Sequence, residues 1–318
     1  MPTASYIICT RNRPDDLRRC VASLAQQAIV PEELIIVDAS DEARAPLVER
    51  AVREVAGDRL PLRLLFAAPG LPSQRNIGAE AAQGDIVCFL DDDVILDAEY
   101  HREVMRPFSD PRWENVGGVQ GTITNRRPTA IWVVPFRLLF LMPVDLADGR
   151  GRLLPSGNAV YLTAPRDIRE VDILSGCACY RREIVLALRF DEALSGYAFK
   201  EDVDFSWRVS RRYRLLQTPR ARFEHHPSQI ARDQSRRRTE MRLVNNLYLA
   251  RKNLPSTARH RLAVAWSQVG EVVWATSFAL RRRDVGYIHG ALRGLWRVAT
   301  GRHVLLRAVS SQAGGDNP

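Results

Sequence analysis

Three adjacent carboxylates, Asp91-Asp92-Asp93, follow directly on an apolar run, Ile86-Val87-Cys88-Phe89-Leu90. Like charges side by side repel, and a strand end has no helix dipole to offset them. A divalent cation held through oxygen ligands is the usual remedy; a solvated acidic turn is the plainer alternative. The preceding run is apolar enough to be buried on both faces, as strands of a parallel sheet are. Open parallel sheets take ligands just beyond the carboxyl ends of their strands, which favours a metal or ligand site. Other polar groups sit in equivalent places. Thr10-Arg11-Asn12-Arg13-Pro14 follows the first strand and leads into a helix N-terminus, where a phosphate-bearing ligand would bind. Asp38 closes the second strand with a carboxylate suited to a ribose hydroxyl or a base N–H. Ser73-Gln74-Arg75-Asn76-Ile77-Gly78 opens a helix and offers Arg75 to the same crevice. Glu201-Asp202-Val203-Asp204 begins another helix after a loop containing Gly196. Singly, each could be surface decoration; together they gather along one edge of one sheet.

The elements that would hold these groups alternate. Candidate strands are Ser5–Cys9, Leu34–Asp38, Leu62–Phe66, Ile86–Leu90 and Val116–Ile123. Between them, helical spacing covers Pro14–Gln27, Ala43–Val55, Ser73–Gln83 and Asp97–Phe108, with Pro14 in a first turn and Ser73 as a cap. Such alternation predicts a doubly wound parallel sheet. Residues 124–170 break the rhythm with five prolines and an apolar run, Ile131–Met142. That run is too short to span a bilayer and carries Pro135 and Arg137 inside it. It suits a core helix, an acceptor-binding lid or a membrane-dipping segment. Beyond it come a strand at Val171–Leu174, a helix near Arg181–Leu188 and another from Glu201, then a strand, Ala221–Glu224, leading into His225-His226. The remainder is helical: Arg236–Asn253, Arg261–Arg283 and Val285–Thr300. In the second of these, Leu262, Trp266, Val269, Val273 and Leu280 share a face, broken as an apolar span by Gln268 and Glu271. That pattern is interfacial or belongs to an ordinary packed helix, and it does not cross a membrane. The Gln312–Pro318 tail reads as disordered.

The 318 residues, 46% hydrophobic, can bury a sizeable core with an appendage. The chain enters a strand-like run almost at once, so no signal peptide is expected. Five cysteines without metal-like spacing point to free thiols in a reducing compartment. The net charge of +9 is uneven: residues 1–205 carry 24 Lys+Arg against 31 Asp+Glu, and residues 206–318 carry 22 against 6. The C-terminal part, at +16, should face phosphates, as an anionic membrane surface, a nucleotide or a nucleic acid would offer. Nucleic acid would ask for stacking aromatics among the basic residues, whereas Trp266, Trp274 and Trp296 sit among aliphatic ones.

The text Ile8-Cys-Thr-Arg-Asn-Arg-Pro14, Ile36-Val-Asp-Ala-Ser40, Gln74-Arg-Asn-Ile-Gly78, Phe89-Leu-Asp-Asp-Asp-Val94, Ser175-Gly176 with Tyr180-Arg-Arg182, Glu201-Asp-Val-Asp-Phe205 with Arg208, and His225 resembles a family 2 glycosyltransferase of the GT-A fold. The matches run in the family's order across residues 5–228. The resemblance implies an α/β, Rossmann-like, mostly parallel sheet flanked by helices. Residues 1–125 would form the nucleotide-sugar-binding half and 126–230 the acceptor and catalytic half of one domain. Beyond the stretch that carries the resemblance, the charge and helical pattern of residues 231–318 lead to the expectation of a basic, membrane-associating helical extension. The resemblance also implies roles. Asp91 and Asp93 would hold Mn2+ or Mg2+ and the sugar nucleotide, with Asp92 on the ribose or supporting its neighbours. Thr10, Arg11 and Asp38 would line the nucleotide, and Arg75 the diphosphate or base. Asp202 would be the catalytic base, positioned by Glu201 and Asp204, with Arg208 pairing Asp204; the helix dipole would keep Asp202 ionised. His225 would reach the metal, with His226 as the fallback. The reaction would be one inverting displacement by an acceptor hydroxyl.

Two departures matter. Cys177 stands where relatives often carry a polar residue, and Asp233-Gln234-Ser235-Arg236-Arg237 resembles the Gln-x-x-Arg-Trp of processive synthases without its Trp. With that Trp missing and no transmembrane helix, transfer of one sugar is expected over polymerisation; the basic C-terminal helices and the apolar run Ile131–Met142 lead to the expectation of a lipid-linked saccharide acceptor, with the protein peripheral at the inner face of the plasma membrane. A sugar-phosphate nucleotidyltransferase would want a Gly-rich loop with Lys after the first strand, and Thr10–Pro14 has no Gly. A non-catalytic nucleic-acid- or membrane-binding protein, or a degenerate scaffold, would have no need of intact Asp91, Asp93 and Asp202.

Overall fold

Strands that are apolar on both faces can pair side by side only where helices cover each face. The computed structural model, which describes residues 2–194, 198–228 and 235–306, has that arrangement. Strands β1 (Ala4–Thr10), β2 (Glu33–Asp38), β3 (Leu62–Phe66) and β4 (Ile86–Asp91) lie parallel in the order β3-β2-β1-β4. The register sets Thr10 opposite Asp38 and Cys9 opposite Asp91, so three strands end level. Side chains alternate: Tyr6, Ile8, Leu34, Ile36 and Leu90 enter one core layer, Ile7, Ile35, Val37, Val87 and Phe89 the other. Each such side chain contributes about 1.5–3 kcal/mol by leaving water.

Helices α1 (Pro14–Ala25), α2 (Ala45–Ala56), α3 (Leu71–Ala81) and α4 (Tyr100–Ser109) make the connections. The first three carry Pro in their first two positions, where its missing N–H costs nothing. Ser73 does not cap α3. The helix begins earlier, after Gly70, and the Ser73 hydroxyl donates to the Gly70 carbonyl at 3.1 Å.

Beyond β4 the sheet departs from a purely parallel one. Strand Ala178–Arg181 enters between β4 and β6 (Val116–Ile123), antiparallel to both, so β6 still points the way β4 does. The long strand Arg214–His225 pairs parallel with β6, and Arg169–Val171 lies antiparallel on its outer edge. That edge strand precedes the expected Val171–Leu174 position. The last residues of Arg214–His225 also pair with β5 (Val94–Leu96), setting His225 opposite Val94. This pairing carries the histidine to the carboxylate triplet.

Contacts divide the chain into two units. The first, Met1–Pro128, Leu146–Gly151 and Leu162–Ile230, holds the nine-stranded sheet. The second, Thr129–Asp145, Arg152–Tyr161 and Ala231–Pro318, contains the helices Ser235–Asn253, Ala258–Arg282 and Gly286–Thr300. It also takes in the apolar run, which forms only a six-residue helix, Val134–Leu139, with no buried residue. A core helix is thereby excluded for it. Among the described residues no helix is long and apolar enough to cross a membrane. The Gly196 loop, Asp233, Gln234 and the Gln312–Pro318 tail lie outside the described residues.

Candidate active site

At the end of β4 the chain turns back into β5, burying Asp92 and Asp93 rather than leaving them in water. Asp92 accepts from the Thr10 hydroxyl at 2.8 Å and from Arg13 Nη1 at 2.9 Å. Both of its oxygens are thus occupied, which suits support of its neighbours better than contact with a ribose. Burial pushes the Asp92 carboxyl up to about 6, against the pull of Arg13 and Thr10. For Asp93 burial also acts upward, but His225 Nε2 at 2.9 Å, the Ser228 N–H at 3.0 Å and Arg13 outweigh it and hold the carboxyl below the usual range. The ligand-capable atoms of Asp91, Asp93 and His225 all lie within 4.8 Å of one another. Two carboxylate oxygens and an imidazole nitrogen are a donor set that fits Mn2+ well and Mg2+ adequately. Of the paired histidines only His225 points there; His226 turns to Glu224, 2.7 Å away.

The second cluster is built around Arg75 on α3, which is 2% exposed. Its Nη1 donates to Glu201 Oε1 at 3.0 Å, and its Nη2 lies 3.5 Å from Asp91 Oδ1 and 3.4 Å from the Gly176 carbonyl. The guanidinium carbon sits 5.7 and 5.2 Å from the Phe89 and Phe190 ring centroids. A Cβ on Gly176 would stand 2.9 Å from Arg75 Nη2, so any larger residue there must push the guanidinium from its place. Glu201 and Asp202 open the helix Glu201–Ser210. Burial, joined by the Asp202 charge, pushes Glu201 up to about 8 despite Arg75. Asp202 is raised too, by burial first, with Asp91 adding to it. The helix dipole therefore does not decide its charge, contrary to the expectation from sequence. Adjacent and sharing one arginine, the two carboxyls titrate as a pair.

Other sequence candidates divide between the site and the frame. Asp38 is buried; Oδ1 accepts from the Ser40 N–H at 2.8 Å, while Oδ2 finds no partner among the described residues and waits for a donor. Arg11 is exposed and pairs with Asp41 at 3.5 Å rather than with the triplet. Asp204 holds Arg208 at 2.9 Å, and Arg208 also donates to the Leu188 and Arg189 carbonyls, fixing the helix to the preceding turn. Two residues were not singled out from sequence. Arg13 bridges Asp92 and, at 3.8 Å, Asp93. Gln74 donates to the Val37 and Thr10 carbonyls at 2.9 and 3.3 Å, tying α3 to two strand ends. A cation beside a strand end whose neighbouring strand finishes in acids was the available signal for Arg13.

The family model of Glycosyl transferase family 2 matches residues 5–187, more than half of the chain; Thr10, Arg13, Asp38, Arg75 and the carboxylate triplet lie within it, and Glu201, Asp202 and His225 beyond it. The chain belongs to glycosyl transferase family 2. This glycosyltransferase is 31% identical over 114 residues to validoxylamine A glucosyltransferase of Streptomyces hygroscopicus subsp. limoneus, a stretch covering 35% of this chain and 25% of that protein. Among solved structures, a mannosyltransferase from Pyrobaculum calidifontis in complex with GDP-Man and Mn2+ superposes with a TM-score of 0.56 at 16% identity, covering 98% of this chain and 79% of the other. S. aureus TarS in complex with UDP-GlcNAc gives 0.55 at 16% identity, covering 91% and 79%. These likenesses establish the GT-A fold.

Proposed function

We propose that the enzyme moves one sugar from a nucleoside diphosphate donor to a hydroxyl of a saccharide acceptor, inverting the anomeric centre. The observation that carries this is two facing acid clusters at the strand ends: Asp91, Asp93 and His225 within 4.8 Å of one another, and Glu201 with Asp202 against Arg75. Asp91, Asp93 and His225 would hold Mn2+ or Mg2+. When bound, that cation neutralises charge on the departing diphosphate. Asp38 Oδ2 is free to accept from the nucleoside, and Thr10 with Arg13 keeps Asp92 and Asp93 in place. Arg75 orients Glu201 and Asp91 and adds positive potential near the diphosphate. Asp202 takes the acceptor hydroxyl's proton as that oxygen bonds to the sugar C1. The bond from C1 to the diphosphate oxygen breaks on the opposite face, and the nucleoside diphosphate leaves with the electron pair. A carboxyl raised by burial is a better-matched base near neutrality than an ordinary aspartate. Solved neighbours carry GDP-Man and UDP-GlcNAc, which supports the donor class. The absent synthase Trp supports a single transfer, and a lipid-linked saccharide of the cell envelope is the acceptor we favour. Asp202→Asn tests the proposal: donor binding by calorimetry should persist while turnover falls about 10²–10⁴-fold. Transfer at near wild-type rate would remove Asp202 from the role of base.

A further inference from the structure

In the second unit the helix Ala258–Arg282 buries polar residues among its small apolar ones: Ser267, Gln268 and Glu271 lie inward with Ala263, Val264, Ala275 and Ala279, Gln268 donating to the Leu243 carbonyl at 3.3 Å and Glu271 pairing with Arg242 at 3.5 Å. Its outer face is mostly apolar; the two hydroxyls on it, Thr276 and Ser277, bond to the helix's own Val272 and Trp274 carbonyls. Leu262 and Leu280 are 70% and 76% exposed, with Trp266, Val269 and Val273 exposed between them. Glu271, the one charged residue from 262 to 280, points away from this face. A helix serving only as a bundle member turns its large apolar side chains inward rather than leaving five of them in water. The apolar run lies flush on the same helix. Phe140 stacks on Trp266 with ring centroids 4.8 Å apart, Trp266 Nε1 donates to the Leu139 carbonyl at 2.7 Å, and Arg137 covers Trp274 at 4.8 Å. Gly270 makes this fit possible, since a Cβ there would meet Phe140 Cβ at 2.4 Å. Just before the packed stretch, Ile131 and Trp132 stand 83% and 70% exposed.

Charge frames the apolar face at both ends. Arg259 and Arg261 flank its start, and Arg281, Arg282 and Arg283 its finish, all exposed. The residues between span about 27 Å at helical rise. We infer that this face seats the protein on an anionic lipid bilayer, with the helix in the headgroup plane, its apolar side chains among the acyl chains and both arginine groups on lipid phosphates. A second copy of this chain is the rival occupant, and charge argues against it. Laid parallel or antiparallel on the face, a copy would bring arginines against arginines at both ends. The inference stands apart from the proposed transfer chemistry, because vesicle binding is read with neither donor nor acceptor present.

The test is co-sedimentation of the full chain with vesicles of equimolar phosphatidylglycerol and phosphatidylcholine, and with phosphatidylcholine alone. Binding should require the anionic lipid. Leu262→Glu combined with Leu280→Glu, both at exposed positions that the fold does not need, should weaken it about a hundredfold. Arg281→Gln with Arg282→Gln should weaken it about twentyfold and reduce its sensitivity to salt. Equal binding to both vesicle types would overturn the charge component. No binding to either would overturn the inference, as would sedimentation velocity showing a dimer that the double Glu variant dissociates. Sugar transfer lost with vesicle binding intact would count against the catalytic reading alone.

Discussion

Arg75→Met should uncover how much of the fold is staked on one buried cation. The substitution keeps chain length and apolar contact with Phe89 and Phe190 but removes the charge that faces Glu201 at 3.0 Å and Asp91 at 3.5 Å. Asp91 is partly open to water and loses little. Glu201, whose side chain is 9% exposed, is left buried beside Asp202 without its partner. Breaking a buried pair in this way costs about 3–5 kcal/mol. The cost depends on pH, with a sign that can be worked out. Glu201 is raised to about 8 in the folded protein, so the folded state binds more protons than the unfolded one, whose glutamates titrate near their ordinary value. Its contribution is therefore fully present below about pH 4.3 and is lost as pH rises through the folded value. Removing Arg75 raises Glu201 further and extends that loss. Urea unfolding should then show the full deficit at about pH 9 and only a small one at about pH 5, where Glu201 is protonated in both proteins. Glu201→Gln in the same background should recover up to about 3 kcal/mol as the coupling energy. A deficit of equal size at both pH values, or one below about 1 kcal/mol, would mean that the three groups do not form a buried, mutually dependent set.

Further outcomes follow from the same geometry. His225→Ala should weaken Mn2+ binding at least about tenfold, read by electron paramagnetic resonance titration, while His226→Ala leaves it unchanged. Gly176→Ala should lower turnover more than it lowers the unfolding midpoint, because the new methyl displaces Arg75 Nη2 rather than a core side chain. The acid limb of the turnover–pH profile should lie above the ordinary aspartate range, since burial raises Asp202; a limb at or below that range would contradict the placement of this carboxyl.

How far the site could be read in advance follows from which residues act along the chain and which act across it. Ile86–Leu90 is apolar on both faces and ends in acids, and a buried strand with ligand-capable side chains gathered at its tip is what formed. The five leading strands come within a residue of their expected bounds, because period and punctuation are local signals. Insertion of Ala178–Arg181 between β4 and β6 is a pairing choice between distant segments, and no local pattern reports it. The same holds for Arg13, whose partners lie 79 and 80 residues away. Ser73 was a plausible cap by type, but Leu71 and Pro72 already supply the first turn. Gln268 and Glu271 read in sequence as breaks in an apolar span. They lie on the inward face, because the Leu243 carbonyl and Arg242 offer them partners.

The most direct test of the account is calorimetric titration of Mn2+ into the enzyme with a panel of nucleoside diphosphates present. Saturable uptake that is coupled to one nucleotide and abolished by Asp93→Asn is the predicted result. Absence of uptake with every nucleotide would contradict the claim that Asp91, Asp93 and His225 form the cation site on which the proposed transfer depends.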